Sequence, residues 1–334
     1  MSFYLVIVFL LSFALTKLTK LYAIKRGVVD VPNHRSAHVI PTPRGGGVGF
    51  VLSILLVLPF VEHAGFLTPN GSTALVSAGV FIASLGFLDD HNHVSSLIRL
   101  GAHFLAGALA ILWVGGMPEL SIFGVVLHKS LLLDLLGLVY LVWLTNLYNF
   151  MDGINGLASV EAFSVCLGIT AIYSDLSEPG LMIIPMVLSA GVLGFLCWNF
   201  PKAKIFMGDA GSGFIGFIFA VLSIQASLVN PLFFWSWVIL LGVFITDATQ
   251  TLLFRAFRLE KIYQAHDMHG FRHAYERFGR AEPVTIGVLF INVLWLFPMA
   301  WMVSHAVMSP GLGVCIAYAP LVGLALYFKA GRPS

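Results

Sequence analysis

Eleven long apolar runs dominate this chain, and nothing else in it restricts the fold as strongly. They cover residues 3–21, 45–61, 73–88, 99–116, 131–148, 157–174, 181–198, 211–229, 234–254, 284–304 and 310–328. A helix of about 20 apolar residues crosses a bilayer. In lipid, every backbone N–H and C=O must be paired inside a helix or a closed barrel. The runs are continuous rather than alternating, which selects helices. A content of 58% hydrophobic and 10% charged residues, with a mean hydropathy of +0.92, excludes the two soluble domains that 334 residues would otherwise suggest. The expected fold is all-α, a polytopic membrane helix bundle of about 11 transmembrane helices. No fixed-period repeat or low-complexity linker divides it, so residues 1–334 form a single integral-membrane domain.

The first run lacks a basic segment before it and is followed by Lys17, Lys20, Lys25 and Arg26, so it reads as a span rather than a cleaved leader. Starting from an outside N-terminus, alternation puts 17 of the 18 Lys and Arg residues on or bordering one face, with Lys129 the exception. That face is cytoplasmic by the positive-inside rule, and an odd number of spans leaves the C-terminus there too. On the other side, Met117 to Ser130 mixes β-branched and aromatic residues, which suits a small hairpin. Cys166, Cys197 and Cys315 lie in apolar runs without metal-ligand spacing, so they read as packing residues.

Polar motifs gather on the cytoplasmic rim. Asp89 and Asp90 end the third run; adjacent acids point in different directions on a helix, so one faces a shared site while the other orients or hydrogen-bonds. Two acids terminating a span at the headgroups is the plain alternative. The fifth run ends in Asn146, Asn149 and Asp152, with Asn155 three further on, a polar stripe if the chain stays helical. Such a stripe at the end of an apolar span is costly unless its members coordinate something or one another. Asp209, in Phe206-Met207-Gly208-Asp209-Ala210-Gly211, opens the eighth run. Exposed N–H groups at a helix start favour phosphate, and the acid favours a divalent cation, although an acid is also an ordinary N-cap.

Two cytoplasmic loops are basic. One contains Arg35 and Arg44; the other contains Arg255, Arg258, Arg272 and Arg277, with His266, His269 and His273 at a spacing that puts them on one face if the segment is helical. Hard oxygen groups dominate the other loops, so a phosphate-binding cluster suits these histidines better than zinc. Attraction to anionic headgroups explains the basic charge equally well, but not the histidines. Asp247, inside the ninth run, is either a structural hydrogen-bonder or a support for the site. Carboxylates, amides and cations on one membrane face suit phosphoryl transfer, where positioning and charge neutralisation carry catalysis.

These segments, in this order, resemble the polyprenyl-phosphate N-acetylhexosamine-1-phosphate transferases. The resemblance covers Asp30 to about Gly279: Pro41-Thr42-Pro43-Arg44-Gly45-Gly46-Gly47, Asp89-Asp90, Asn146 to Leu157, Asn199 to Asp209, and the histidine loop. It implies transfer of a sugar 1-phosphate from a UDP-N-acetylhexosamine to undecaprenyl phosphate, with release of UMP and a requirement for Mg2+ or Mn2+. It also implies a multi-pass protein of the bacterial inner (cytoplasmic) membrane that binds no nucleic acid, with room for a homodimer. By position, the resemblance makes Asp209 the principal metal ligand, with Asn155 as a second. Phe206 would stack on uracil with Asn199 beside it, and Asp89 or Asp90 would act on the lipid phosphate. Asp152 would contact nucleotide or phosphate, His266, His269 and His273 the diphosphate and sugar. Arg44, Asn146, Asn149, Lys204 and Arg272 complete the expected substrate contacts.

The chain departs from the pentapeptide-translocase branch at Asn149, where those proteins have an acid, and in its separated rather than consecutive histidines. Asn155 replaces an acid found in many bacterial members. His273-Ala274-Tyr275-Glu276-Arg277 is similar to the O-antigen branch, so initiation of a cell-envelope polysaccharide such as O-antigen is the expected role, with the peptidoglycan step as the alternative. A transporter of an anionic substrate is the rival of another class. It would place ionisable groups near the midplane and broken spans in two related halves.

Overall fold

The computed structural model describes residues 2–32, 38, 40–66, 72–92, 94–260 and 267–332. The helices are α1 (Ser2–Arg26), α2 (Gly47–His63), α3 (Ala74–His91), α4 (Ser96–Val114), α5 (Leu131–Met151), α6 (Leu157–Asp175) and α7 (Pro179–Asn199), followed by α8 (Asp209–Val229), α9 (Pro231–Leu240), α10 (Gly242–Phe257), α11 (Gly270–Phe278), α12 (Glu282–Ser304) and α13 (Pro310–Tyr327). The protein is a polytopic helical bundle. Among the described residues nine helices are long and apolar enough to cross a membrane, and ten if α9 and α10 count as one span. The remaining expected run is α2, which has 17 residues.

The run expected over residues 234–254 is therefore not one straight helix. It bends by 70° between α9 and α10, at Leu241 and Gly242. Glycine is the weakest helix former in that stretch and a usual place for a kink. Nothing polar marks the break in the sequence, so hydropathy alone reads through it.

α8 is the central element: 83% of its apolar window is buried, and it packs against α2, α3, α5 and α9. By contrast α1 is 17% buried and turns an apolar face outward. The hairpin expected near Met117 to Ser130 is present as β3 (Leu120–Ile122) against β4 (Val125–Leu127), turning at Phe123 and Gly124, both with positive φ. At the opposite, acid-bearing end, β1 (Val29–Asp30) pairs with β2 (Thr42–Pro43) and leads into α2. The three cysteines are free. Glu161 of α6, fully buried within the bundle, accepts a 2.6 Å hydrogen bond from Asn292 of α12.

Candidate active site

The end of α3 and the start of α8 touch through backbone. A Cβ at Gly86 would overlap the amide nitrogen of Ala210, so α3 carries no side chain at the contact. Gly208 turns the chain into α8 at φ 76°, a conformation that favours glycine. The Asp90 carboxylate then caps α8: Asp209 N donates to Oδ1 at 3.2 Å and Ala210 N to Oδ2 at 3.5 Å. The next two amides, of Gly211 and Ser212, donate to the Gly208 carbonyl at 3.1 Å. All four amides of the first turn are thus engaged within the protein, so this helix start does not offer the open phosphate nest that its glycines suggested.

Asp89 and Asp90 divide as expected of neighbours on a helix. Asp90 is 3% exposed and faces α8, while its backbone carbonyl accepts from Arg44 Nε at 3.1 Å and Nη2 at 2.6 Å. Asp89 accepts from Val94 N at 2.8 Å and from Arg99 Nη1 at 2.5 Å. The same Arg99 nitrogen donates to Asp209 Oδ2 at 2.8 Å. Arg99 escaped the sequence reading; its signal is a single cation in the first turn of an otherwise apolar helix, just past an acidic pair. His103, one turn further along α4, was missed too and accepts Asn146 Nδ2 at 3.1 Å.

The stripe at the end of α5 is real but splits between neighbours. Asn146 also donates to Val142 O at 2.7 Å, whereas Asn149 donates to Ser212 Oγ at 3.0 Å, tying α5 to the first turn of α8. Asp152 ends α5 in a non-helical conformation. Burial pushes its carboxyl up to about 7, and the Asp209 and Asp90 carboxylates add to the rise. Asp152 therefore shares one electrostatic site with both.

Asn155 lies past the end of α5. Its amide donates to Pro201 O at 3.2 Å, and it lines a cavity of about 360 Å³ with Phe206, Thr42, Lys202, Tyr275 and Arg280, from which Asp209 is absent. The helical part of the stripe stops at Asp152, and Gly153 and Gly156 follow it, so Asn155 is carried by the turn into α6. His38 meets Phe206 edge-on, 4.8 Å between ring centroids. Asn199 is 4% exposed and holds the walls, accepting from Gly156 N at 2.7 Å and donating to Ile205 O at 3.1 Å. Lys204 lies elsewhere, its ammonium 5.4 Å from the Trp198 ring centroid.

The described part of the histidine loop becomes helical only from Gly270. His266 lies outside the described residues. His269 is the extended residue before α11 rather than part of it, so His269 and His273 share no helix face. Asp247 explains this: its Oδ1 accepts from Gly270 N at 2.9 Å and its Oδ2 from Phe271 N at 2.8 Å, while His269 Nδ1 lies 3.2 Å from Oδ1. Asp247 is the structural hydrogen-bonder that caps α11 and fixes His269. His273 Nε2 bonds the Arg332 carbonyl at 3.1 Å, and Arg272 pairs with Glu276 at 3.0 Å.

Two carboxylates meeting at one point, with further amide and carboxyl groups around them, form a hard-oxygen donor set. Among the described residues no three His, Cys, Asp or Glu side chains form a complete cage. Mg2+ is commonly held by one or two carboxylates, with water and substrate phosphate completing its shell. Asp209 and Asp89 fit that pattern.

Residues 72–227 match the model of glycosyl transferase family 4. A protein of Bacillus subtilis named "probable undecaprenyl-phosphate N-acetylglucosaminyl 1-phosphate transferase" is 31% identical over 83% of this chain and 77% of its own length. A decaprenyl-phosphate N-acetylglucosaminephosphotransferase of Mycolicibacterium smegmatis is 27% identical over 96% and 87%. A phospho-N-acetylmuramoyl-pentapeptide-transferase of Streptococcus gordonii is 29% identical over 72% and 78%. With the acidic pair, the Phe206 to Asp209 segment and the histidine loop arranged around one end of the bundle, the chain belongs to the polyprenyl-phosphate N-acetylhexosamine-1-phosphate transferases of glycosyl transferase family 4.

Proposed function

We propose that this protein transfers an N-acetylhexosamine 1-phosphate from a UDP-sugar to undecaprenyl phosphate at the cytoplasmic face of the bacterial inner membrane, as the first step of a cell-envelope polysaccharide such as O-antigen. The observation that carries this is the meeting of Asp89, Arg99 and Asp209 at the rim, with Asp152 close enough to feel the Asp209 and Asp90 carboxylates and the Phe206 cavity on the same end of the bundle. An oxygen of the acceptor phosphate attacks the β-phosphorus of the donor. The bond from that phosphorus to the bridging oxygen breaks, and UMP leaves with the electron pair. Arg99 offers a cation beside the transferring phosphoryl group, and Phe206 presents a ring face to the base. Asp90 and Asn149 act on α8, keeping Asp209 in place. Bound at Asp209 and Asp89, Mg2+ would neutralise charge on the diphosphate.

Asn149 and the separated histidines favour the O-antigen branch over the peptidoglycan step. Purified protein incubated with undecaprenyl phosphate, Mg2+ and a panel of UDP-sugars is expected to release UMP and yield a lipid-linked sugar phosphate. No product with any donor, UDP-MurNAc-pentapeptide included, would refute the enzyme reading.

A further inference from the structure

A second polar cavity, of about 380 Å³, lies apart from the Phe206 cavity, between the end of α1 and the end of α3. Its walls include Tyr22, Arg26, Arg44, His91, Asn92 and the backbone from Gly27 to Val29. His91 Nδ1 donates to Phe87 O at 2.8 Å, and its Nε2 lies 3.2 Å from the Tyr22 hydroxyl. The permanent positive charge in the wall is that of Arg26 and Arg44. The one acid in the wall, Asp90, caps the α8 amides, and its Oδ1 also stands 3.8 Å from Arg44 Nε, so the cation least offset by a carboxylate is Arg26. Among the described residues Arg26 has no carboxylate partner; its guanidinium stands 6.0 Å from the Tyr22 ring centroid.

The helix end that carries Arg26 is flanked by exposed apolar side chains. Leu18, Leu21 and Ile24 on the outer face of α1 are more than half exposed, so apolar chains can run along the helix that carries Arg26. We infer that the Tyr22, Arg26 and Arg44 cavity binds the phosphate of a membrane lipid, specifically the headgroup of an anionic phospholipid of the surrounding bilayer. A basic pocket between transmembrane helices on the cytoplasmic side suits such a headgroup. Arg44 also donates to the Asp90 carbonyl at 2.6 Å and the Asp89 carbonyl at 3.4 Å. The bound headgroup thus rests on the group that clamps the end of α3, and lipid binding stabilises the corner that carries both aspartates.

The test uses the full-length protein in nanodiscs of phosphatidylcholine with or without phosphatidylglycerol, read by lipid retention in native mass spectrometry and by thermal unfolding. Phosphatidylglycerol should be retained and raise Tm. Arg26→Ala and the near-isosteric Arg26→Gln should each cut its retention about fivefold, the effect of one interfacial cation, with Tm in pure phosphatidylcholine unchanged. Lys25→Ala, adjacent but outside the cavity wall, should leave retention as it is. Equal retention by both Arg26 variants and the unaltered protein would overturn the inference, as would a Lys25→Ala loss matching theirs. Inorganic phosphate reproducing the Tm rise in phosphatidylcholine would assign the cavity to free anions instead. Displacement of phosphatidylglycerol by equimolar undecaprenyl phosphate would assign it to the acceptor.

Discussion

Asp89 Oδ2 and Asp209 Oδ2, from the end of α3 and the start of α8, converge on one nitrogen of Arg99 at 2.5 and 2.8 Å. Both carboxylates are thus held at the rim by a residue of a third helix.

Replacing Asp209 with Asn should lower UMP release by about 100-fold or more, the scale of losing one preorganised electrostatic group. EDTA should abolish release from the unaltered protein, and added Mg2+ should restore it. Arg99→Lys should keep more activity than Arg99→Ala, because a cation remains although the guanidinium geometry is lost. Initial rates of UMP release check all three, and full activity in Asp209→Asn at ordinary Mg2+ would sink the metal assignment.

Asp90 acts on the fold. Asp90→Ala removes the cap of α8 and should cost about 1 kcal/mol of stability, seen as a lower Tm. Asp90→Asn keeps an accepting oxygen and should unfold nearer the unaltered protein. A loss of activity in Asp90→Ala with unchanged Tm would instead make Asp90 a substrate contact.

For Asp152 the folded carboxyl titrates at about 7, against 3.8 unfolded. The folded state then holds the extra proton between those values, so this group's contribution to stability is present below the lower value and lost as pH rises through the upper one. In metal-free buffer, Asp152→Asn should raise Tm at pH 8 and change it little at pH 4. A Tm difference that does not vary with pH would contradict the buried, charge-crowded setting of Asp152.

Phe206→Leu should raise KM for the UDP-sugar about tenfold, the scale of one base–aromatic stack, with a smaller change in kcat. Lys204→Ala should leave KM within about twofold, since a Lys204 resting on Trp198 contributes at most a weak surface interaction. Equal effects of the two variants would show that the Phe206 cavity is not where the base binds.

Much of this was legible in one dimension. Continuous apolar runs dictate helices because unpaired backbone is intolerable in lipid, and that requirement acts on each segment separately. Asp89, Asp90, Asp152 and Asp209 stood out in the sequence because a charge at the end of an apolar span is expensive wherever the other spans lie. The sequence by itself therefore determined the helical bundle, its polar rim and the acids upon it.

Partnership was decided only by tertiary structure. Arg99 bridges Asp89 and Asp209 because α3, α4 and α8 bring their ends together, and no spacing along the chain encodes that meeting. The same packing turned Asp90 into a cap, sent Asn155 to the Phe206 cavity, and moved Asp247 from an unplaced acid to the anchor of His269. Periodicity describes which side chains share one helix, whereas hydrogen bonds between helices depend on distances of a few ångströms that only the assembled bundle sets.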